Sequence, residues 1–347
     1  MKRIRKIMAV TGVLTLGAIV AAALWLADWY RGQLERPLAL EESQRFELQP
    51  GTGLRSLSRE FERRGWVESA RVVEVYARRQ GVAGRLQAGE YAVDAGMTPA
   101  ELVQAMARGD VVRHRLTLPE GWTVRQALAA VRGHDELDPP AESVGVHNLP
   151  DVLGLDDIEH PEGWFLPDTY FFGSGTDSLD VLRRAHEAMR ATLDAAWAGR
   201  SEDLPLEEPY ELLILASIVE RETGRGDERD RVAAVFVNRL REGMRLQTDP
   251  TLLYVQETGV QRLTRAELER DHPYNTYTRP GLPPTPIALP GRAAIEAAAR
   301  PADTREFFFV SRNDGSHHFS ETYREHREAV IRYQLDGDAS RYGRRGR

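Results

Sequence analysis

The chain of 347 residues contains no cysteine. Disulfide bonds, zinc–thiolate sites, thiol nucleophiles and lipidated cysteine are therefore excluded, and an oxidising compartment is compatible with the sequence. The sequence also lacks a phosphate-binding loop, a dinucleotide-binding fingerprint and any motif that indicates a Ser-His-Asp triad. The adjacent His317 and His318 would point to opposite faces of a strand, which is a poor arrangement for metal ligands. We therefore predict neither a cofactor nor a metal site.

Basic residues are fewer than acidic residues. The chain has 46 Lys and Arg against 53 Asp and Glu, which gives a net charge of −7. Four of the cations stand in the first six residues, so the rest of the chain is more acidic still. A strongly acidic protein repels phosphate backbones and anionic lipid. Nucleic acid is therefore not a predicted partner, and we expect a substrate that is not a polyanion.

The sequence has one long apolar run, which covers residues 7–27. About 20 apolar residues are enough for a helix to cross a bilayer. The cations before the run predict a cytoplasmic segment 1–6 and place the remainder on the far side of the membrane. A cleaved signal peptide is the alternative, but its apolar region is usually about 7–15 residues long. We therefore predict a retained single-pass anchor.

Beyond the anchor, strand and helix patterns alternate without long repeats, which predicts an α+β protein. Residues 28–44 are polar and read as a linker. Residues 45–110 read as a small α+β module, and its opening, QPGTGLRSLSREF, resembles a LysM domain. LysM domains bind N-acetylglucosamine polymers; a module that only spaces the following domain from the membrane is the alternative. Residues 111–335 form a larger predicted α+β domain, and 336–347 read as a disordered tail.

The stretch LLILASIVERETG, residues 212–224, predicts a buried helix that ends in two glutamates. Because a helix turns 100° per residue, Glu220 shares a face with Ala216 and Ser217, whereas Glu222 points to the opposite side. Small neighbours leave room for a ligand beside Glu220, and Ser217 is a candidate hydrogen-bond partner for it. Apolar surroundings raise the pKa of a carboxyl group, so Glu220 could serve as a general acid. A solvated glutamate paired with a nearby arginine is the alternative.

Two later segments carry polar residues in unusual places. Asn238 lies inside an apolar helical run, and Gln247 stands in the turn before Asp249. Asp249 also has a simple explanation as an N-cap, because a proline follows it. The proline-rich loop 272–291 carries Tyr-Asn-Thr-Tyr in its middle. Prolines stiffen a loop, which suits the wall of a carbohydrate groove, although a purely structural loop has the same composition.

Five segments together resemble the endolytic murein transglycosylases of the YceG-like (MltG) family. They are, in chain order, EGWFLPDTY, ILASIVERET, VFVNRLREGMRLQTDPTLLY, YNTYTRPGLPPTPIALPG and FFFVSRNDGSHHFSETYREH. The resemblance covers nearly the whole chain. It implies a single-pass protein of the inner (cytoplasmic) membrane, with its catalytic part in the periplasm, that cleaves nascent peptidoglycan strands internally and contacts peptidoglycan synthases. It also implies that the glutamate of SIVE, Glu220, is catalytic.

This resemblance implies chemistry with a single carboxyl group. A lytic transglycosylase protonates the oxygen between N-acetylmuramic acid and N-acetylglucosamine, and the same group then accepts the proton of the muramyl C6 hydroxyl, which leaves a 1,6-anhydro end. A hydrolase needs a second carboxylate, for which Glu222 or Asp249 is the alternative. A non-catalytic glycan-binding scaffold is the third reading. The predicted substrate-binding residues are Ser217, Asn238, Gln247, Asp249, Tyr254, Tyr274, Asn275, Thr276 and Tyr277.

Overall fold

The computed structural model describes residues 2–38, 40–256 and 262–342. Its first helix, α1, spans Lys2–Glu35, and Thr11–Glu35 is long and apolar enough to cross a membrane. Residues 11–28 expose their side chains. An apolar helix without protein around it satisfies its own backbone and is stable where lipid surrounds it. The segment is therefore consistent with a membrane anchor.

The helix continues beyond the apolar run. Residues 28–35, the first part of the predicted juxtamembrane linker 28–44, are helical and continue α1. The indole nitrogen of Trp29 donates to the Glu68 carboxylate at 3.1 Å, and the Gln33 side-chain oxygen accepts from the Glu68 backbone N–H at 2.7 Å. Leu34 is buried. The end of α1 stays helical because its polar groups find partners in the folded unit that follows.

Packing divides the chain into two units, the first made of Met1–His114 with Phe172–Ser174 and the second of the remaining residues. In the first unit, β1 and β2 pair antiparallel from Gln44↔Val93 to Leu48↔Gly89. The core contains the aromatic side chains of Phe46, Phe61 and Trp66, whose ring centroids lie 5.2–5.8 Å apart. After α1, the elements of this unit are β1 (Gln44–Leu48), α2 (Leu54–Arg63), α3 (Ala70–Arg79), β2 (Gly89–Val93) and α4 (Pro99–Arg108).

Helix α4 begins with a complete capping box. The Thr98 hydroxyl accepts from the Glu101 backbone N–H at 3.2 Å, and the Glu101 carboxylate accepts from the Thr98 backbone N–H at 2.8 Å. We expect Thr98→Ala to lower the free energy of unfolding by about 1 kcal/mol, because the helix loses its side-chain cap. Urea unfolding of the full chain measures this difference. Ser69→Ala is the control, since the Ser69 side chain makes no capping bond to α3; equal losses in both variants would contradict the prediction.

The second unit is mainly helical, with short strands at its edges. In chain order its elements are β3 (His114–Thr117), α5 (Val124–Arg132), β4 (Leu137–Asp138), α6 (Leu149–Leu153), β5 (Thr169–Phe172), β6 (Thr176–Asp177), α7 (Ser178–Ala198), α8 (Pro209–Glu222), α9 (Arg229–Arg241), α10 (Asp249–Val255), α11 (Arg265–Glu269), α12 (Arg292–Ala299), β7 (Phe308–Ser311), β8 (His317–Ser320) and α13 (Tyr323–Gln334). β3 pairs with β5, β4 with β6 in parallel, and β7 with β8 antiparallel.

The core of this unit surrounds α8. Every residue of α8 from Leu212 to Val219 is buried, and the helix packs on α7, α9 and α12. A helix that is apolar on all sides is stable only when other elements cover it completely. Glu220 and Glu222 follow directly after this buried stretch. The packing therefore fixes the position and direction of both carboxyl groups.

The end of the chain is partly regular. Residues 336–347 were predicted to form a disordered tail, yet Ala339–Arg341 form a 3₁₀ turn, in which the Asp338 carboxylate accepts from the Ser340 backbone N–H at 2.9 Å. Residues 343–347 of that tail lie outside the described residues. The turn forms because aspartate can bond the backbone two residues further on.

Candidate active site

The Glu220 carboxyl group lies beside the segment that precedes α12. Its Oε2 accepts from the Gly291 backbone N–H at 3.0 Å. The Glu120 carboxylate lies against Gly291, where an added Cβ would come within 1.9 Å of Glu120 Oε1. Burial is the main cause of a raised pKa at Glu220; the Gly291 N–H lowers this pKa and the charge of Glu120 raises it. Glu220 is therefore half-buried, paired with a backbone donor and close to a second carboxylate.

Protein covers the two small residues that share a helix face with Glu220. Ala216 and Ser217 are fully buried. The Ser217 hydroxyl donates to the Ile214 carbonyl at 2.7 Å and accepts from the Ile287 backbone N–H at 3.0 Å. The expectation that Ser217 bonds Glu220 and lines a ligand site is therefore wrong. Ser217 instead fastens the 285–289 segment to α8, because its small side chain allows the loop backbone to approach closely.

The Glu222 carboxyl group lies on the opposite side of α8, as the helical spacing predicts. The Thr248 hydroxyl donates a hydrogen bond to its Oε1. Burial is the largest cause of a raised pKa at Glu222; Thr248 lowers this pKa and the nearby Asp249 raises it. A buried glutamic acid that keeps its proton above its ordinary pKa has the property required of a general acid.

Glu222 lines a cavity of about 360 Å³ within the second unit. One part of the wall is polar and comes from the end of α8 and the two loops near it, and another part is aromatic and comes from β7 and α13. The lining residues are Glu222, Phe236, Arg239, Leu246, Gln247, Asp249, Tyr277, Phe308, Phe309, Tyr323 and His326. Aromatic faces beside polar groups suit a sugar ring, which has apolar faces and a polar rim.

Three predicted substrate-binding residues lie in this cavity with Glu222. They are Gln247, Asp249 and Tyr277. The Tyr277 hydroxyl donates to Asp249 Oδ1 at 2.5 Å, and burial is the main cause of a raised pKa at Tyr277. Gln247 has a left-handed backbone with φ of +49°, a conformation that costs free energy for a residue other than glycine. Its backbone N–H donates to the Thr276 carbonyl at 3.1 Å, which helps to hold that conformation.

Three other predicted residues hold the loops together. Asn238 donates to the Thr304 and Glu306 carbonyls at 2.9 and 3.0 Å. Asn275 is fully buried and its side-chain oxygen accepts from the Tyr277 backbone N–H at 2.9 Å. The buried Thr276 hydroxyl accepts from the Thr248 backbone N–H at 3.1 Å. None of the three lines the cavity; Asn275 and Thr276 position the Tyr277 and Thr248 that serve it.

Tyr254 and Tyr274 belong to a separate buried cluster around Glu162. The Tyr254 hydroxyl donates to Glu162 Oε2 at 3.1 Å, and the Val124 backbone N–H donates to Glu162 Oε1 at 2.9 Å. The rings of Tyr254 and Tyr274 lie 5.4 Å apart. Burial raises the pKa of Glu162 to about 7, although both hydrogen bonds oppose this shift. The sequence analysis did not identify Glu162 as a buried acid, although Glu162 is the first residue of the segment EGWFLPDTY.

The cluster predicts a pH-dependent stability. An acid whose pKa is higher in the fold than its ordinary value of 4.5 stabilises the fold at low pH, and this contribution is lost as pH rises from about 4.5 to about 7. We expect Glu162→Gln to remove this pH dependence. The free energy of unfolding of the variant, relative to that of the wild type, should therefore be about 3 kcal/mol higher at pH 8 than at pH 5. Urea unfolding at both pH values measures the difference. Glu159→Gln, at an exposed position, is the control; parallel stability curves for wild type and Glu162→Gln would refute the prediction.

Sequence reasoning also missed the far wall of the cavity. Arg239 is buried, and its Nε and Nη1 donate to the Phe307 and Leu246 carbonyls at 2.7 Å each. His326 stacks on Phe308 with ring centroids 5.1 Å apart. The motif FFFVSRNDGSHHFSETYREH contains Phe308 and His326, but the motif alone does not say that α13 folds back beside α9 and the end of α8.

Known proteins are similar to this chain in sequence and architecture. The sequence model of the YceG-like family matches residues 46–332. The chain is similar to an endolytic murein transglycosylase of Bacillus subtilis strain 168, with 29% identity over 299 residues that make up 82% of each chain. It is also similar to an endolytic murein transglycosylase of Streptococcus pneumoniae serotype 2 strain D39, with 26% identity over 317 residues, 82% of this chain and 57% of that protein.

A solved structure supports the same relationship. The crystal structure of a yceG-like protein from Listeria monocytogenes matches with a TM-score of 0.51 and 26% identity, covering 83% of this chain and 99% of that one. The region matched by the family's sequence model, residues 46–332, contains all the residues that line the cavity around Glu222. Because the family match extends over most of the sequence, the chain belongs to the YceG-like family.

Proposed function

We propose that this protein is an endolytic murein transglycosylase, a lyase that cleaves the bond between N-acetylmuramic acid and N-acetylglucosamine within peptidoglycan strands. Membership of the YceG-like family and the names of the two relatives support this activity. The observation that carries the proposal is that Glu222, whose pKa is raised mainly by desolvation, lines a cavity with polar and aromatic walls. The products carry 1,6-anhydromuramyl ends, which terminate strand elongation.

The reaction needs one carboxyl group and no water. The acid donates its proton to the glycosidic oxygen while the bond from that oxygen to muramyl C1 breaks. The resulting carboxylate accepts the proton of the C6 hydroxyl while the C6 oxygen forms a bond to C1. The acid is thereby regenerated, and the leaving strand carries the first proton away. A carboxyl group with a raised pKa suits both steps, because it is protonated at the start and basic enough to recover its proton.

We propose Glu222 as this acid, in place of Glu220 as predicted from the sequence. The Glu220 Oε2 is bonded to the Gly291 N–H, and Glu220 is not among the residues that line the cavity described above. Glu222 lines the cavity that also contains Gln247, Asp249 and Tyr277. A general acid has to reach the atom that it protonates, so access to a ligand decides between two carboxyl groups whose pKa values are both raised. Glu220 remains the competing candidate.

A hydrolase is the second candidate, because Asp249 lines the same cavity as Glu222. A carboxylate on the far side of the sugar could activate water or attack C1. In the structure, however, Asp249 Oδ1 accepts a hydrogen bond from the Tyr277 hydroxyl at 2.5 Å. This hydrogen bond occupies one oxygen of Asp249 and favours a role for the pair in orienting substrate or stabilising positive charge at C1.

Product analysis separates these functions. The full chain in detergent micelles is incubated with uncrosslinked peptidoglycan strands, and the new ends are identified by mass spectrometry. The proposal expects anhydromuramyl ends. Reducing ends, heavier by one water, would replace it with the hydrolase. Intact strands in every condition would favour the non-catalytic scaffold.

Two further features are proposed from the resemblance and from α1. We place the anchor in the inner membrane with residues 1–6 in the cytoplasm and the catalytic unit outside, in contact with peptidoglycan synthases. The LysM-like reading of residues 45–110 is supported by β1, the turn at Pro50-Gly51 and α2. Hydrogen exchange of the full chain with an N-acetylglucosamine tetramer tests it: protection within residues 45–110 is expected, and unchanged exchange there would leave the module as a spacer.

A further inference from the structure

The far wall of the cavity has a fixed positive charge. Arg239 is only 8% exposed, and two of its nitrogens donate to backbone carbonyls. A guanidinium group has five N–H donors. Within the part of the chain that the structure describes, the Nη2 group makes no hydrogen bond. Arg239 therefore lines the cavity with donors that remain free for a ligand.

His326 adds a second polar atom to the same wall. Its Nδ1 is buried and has no hydrogen-bond partner among the described residues. Buried polar atoms are nearly always bonded, so one without a partner beside a cavity indicates a missing ligand or water. The His326 ring is held flat against Phe308, and the Arg239 guanidinium lies 5.2 Å from the centre of the same Phe308 ring. Both polar groups are thus fixed around one aromatic side chain.

The charge balance of the cavity favours an anion at this wall. Arg239 forms no ion pair among the described residues, and Asp249 Oδ1 already accepts a hydrogen bond from the Tyr277 hydroxyl. A buried guanidinium group without a charged partner is costly, and a bound carboxylate can offset this cost through paired hydrogen bonds. A muramyl residue offers such a group, either on its lactyl side chain or, when a peptide is attached there, on the peptide.

We infer that Arg239 and His326 form a subsite for a carboxylate of the muramyl residue. This inference rests on the proposed function and adds to it the feature that distinguishes muramyl from N-acetylglucosamine units. When the carboxylate binds at this wall, the muramyl ring lies in the cavity that Glu222 also lines. The subsite thereby selects the sugar whose C1 is attacked.

Binding of small probes to the full chain in detergent tests the subsite independently of cleavage. N-acetylmuramic acid is compared by calorimetry with its carboxamide, and muramyl dipeptide is compared with its amidated form. We expect at least one acid to bind about tenfold more tightly than its amide, as the loss of a charge-assisted hydrogen bond predicts. Tighter binding of N-acetylmuramic acid than of its carboxamide identifies the lactyl carboxylate as the ligand. Tighter binding of muramyl dipeptide than of its amidated form identifies the peptide carboxylate. Equal binding of acid and amide in both pairs would overturn the inference, and this comparison needs no variant.

Variants then locate the effect. Arg239→Gln is expected to abolish the preference for the acid. Arg241 lies on the same helix, α9, and pairs with Asp203; Arg241→Gln is the control and should retain the preference for the acid. If Arg239→Gln unfolds, His326→Leu provides the second test and is expected to weaken the preference. Cleavage of strands is assayed separately. If strands are cleaved but acids and amides bind equally well, the subsite is refuted and the proposed enzyme activity stands. If the acid is preferred but strands are not cleaved, the subsite stands and the proposed enzyme activity is refuted.

Discussion

Glu222→Gln is expected to reduce the rate of anhydromuramyl end formation by about a thousandfold or more. Glutamine has the same shape and its side-chain oxygen can still accept a hydrogen bond from the Thr248 hydroxyl, but an amide cannot act as a general acid toward the glycosidic oxygen. Removal of a positioned general acid costs typically 10²–10⁴-fold, and here the same group also acts as the base. The rate is measured from single-turnover product formation by the full chain.

Glu220→Gln is the matched control on the same helix. Its side-chain oxygen can keep the bond to the Gly291 N–H, and we expect its rate to stay within about tenfold of the wild type because no proton transfer is lost. The reverse pattern, with Glu220→Gln inactive and Glu222→Gln active, would return the acid to the position predicted from the sequence. Folding is verified by unfolding midpoints. Glu222→Gln should be no less stable than wild type at neutral pH, since burial disfavours the charged carboxylate.

The second large effect is expected for stability, at Gly163. Its φ is +86°, a conformation that side chains rarely adopt, and an added Cβ would lie 2.6 Å from Cβ and Cγ of Pro286. The proline ring cannot turn away as a flexible side chain can. We expect Gly163→Ala to lower the free energy of unfolding by about 2–4 kcal/mol, of which about 1–2 come from the backbone and the rest from the clash. Urea unfolding of the full chain measures the loss.

Gly154→Ala separates the two causes. Gly154 has a φ of +72°, and nothing lies within 4 Å of its added Cβ. This variant therefore has the backbone strain without the clash, and we expect a loss of about 1 kcal/mol. If both alanine variants lose the same free energy, contact with Pro286 contributes nothing and our account of the Gly163 site is wrong.

Local features of the fold could be predicted because their causes are local. The Thr98 cap, Pro99 at the start of α4 and the left-handed Gly109 after its end follow from the chain within a few residues, and the structure has all three. The opposite directions of Glu220 and Glu222 also follow from the helix repeat alone. The helical state of residues 28–35 was not predicted, because Trp29 and Gln33 reach Glu68, a contact over more than thirty residues.

The site shows the same division. Gln247, Asp249 and Tyr277 could be selected from sequence because polar and aromatic residues in stiff or unusual turns are uncommon without a purpose. Residue type alone did not distinguish these three residues from Asn238, Asn275 and Thr276, which are equally polar but form hydrogen bonds with backbone groups. Whether a polar side chain meets a ligand or a carbonyl depends on which segment folds against it.

The sequence by itself determined the family, the apolar helix at the N-terminus and the presence of two glutamates on opposite faces of one buried helix. Only the tertiary structure showed that Glu222 lines a cavity together with residues from distant segments. The 285–289 segment closes the face of Ser217 through a hydrogen bond to Ile287, while α10, β7 and α13 leave an open space beside Glu222. The nearest of these segments, α10, begins 27 residues after Glu222, and the farthest, α13, begins 101 residues after it. The position of a cavity depends on how distant segments pack against each other, so a local pattern of side chains cannot predict it.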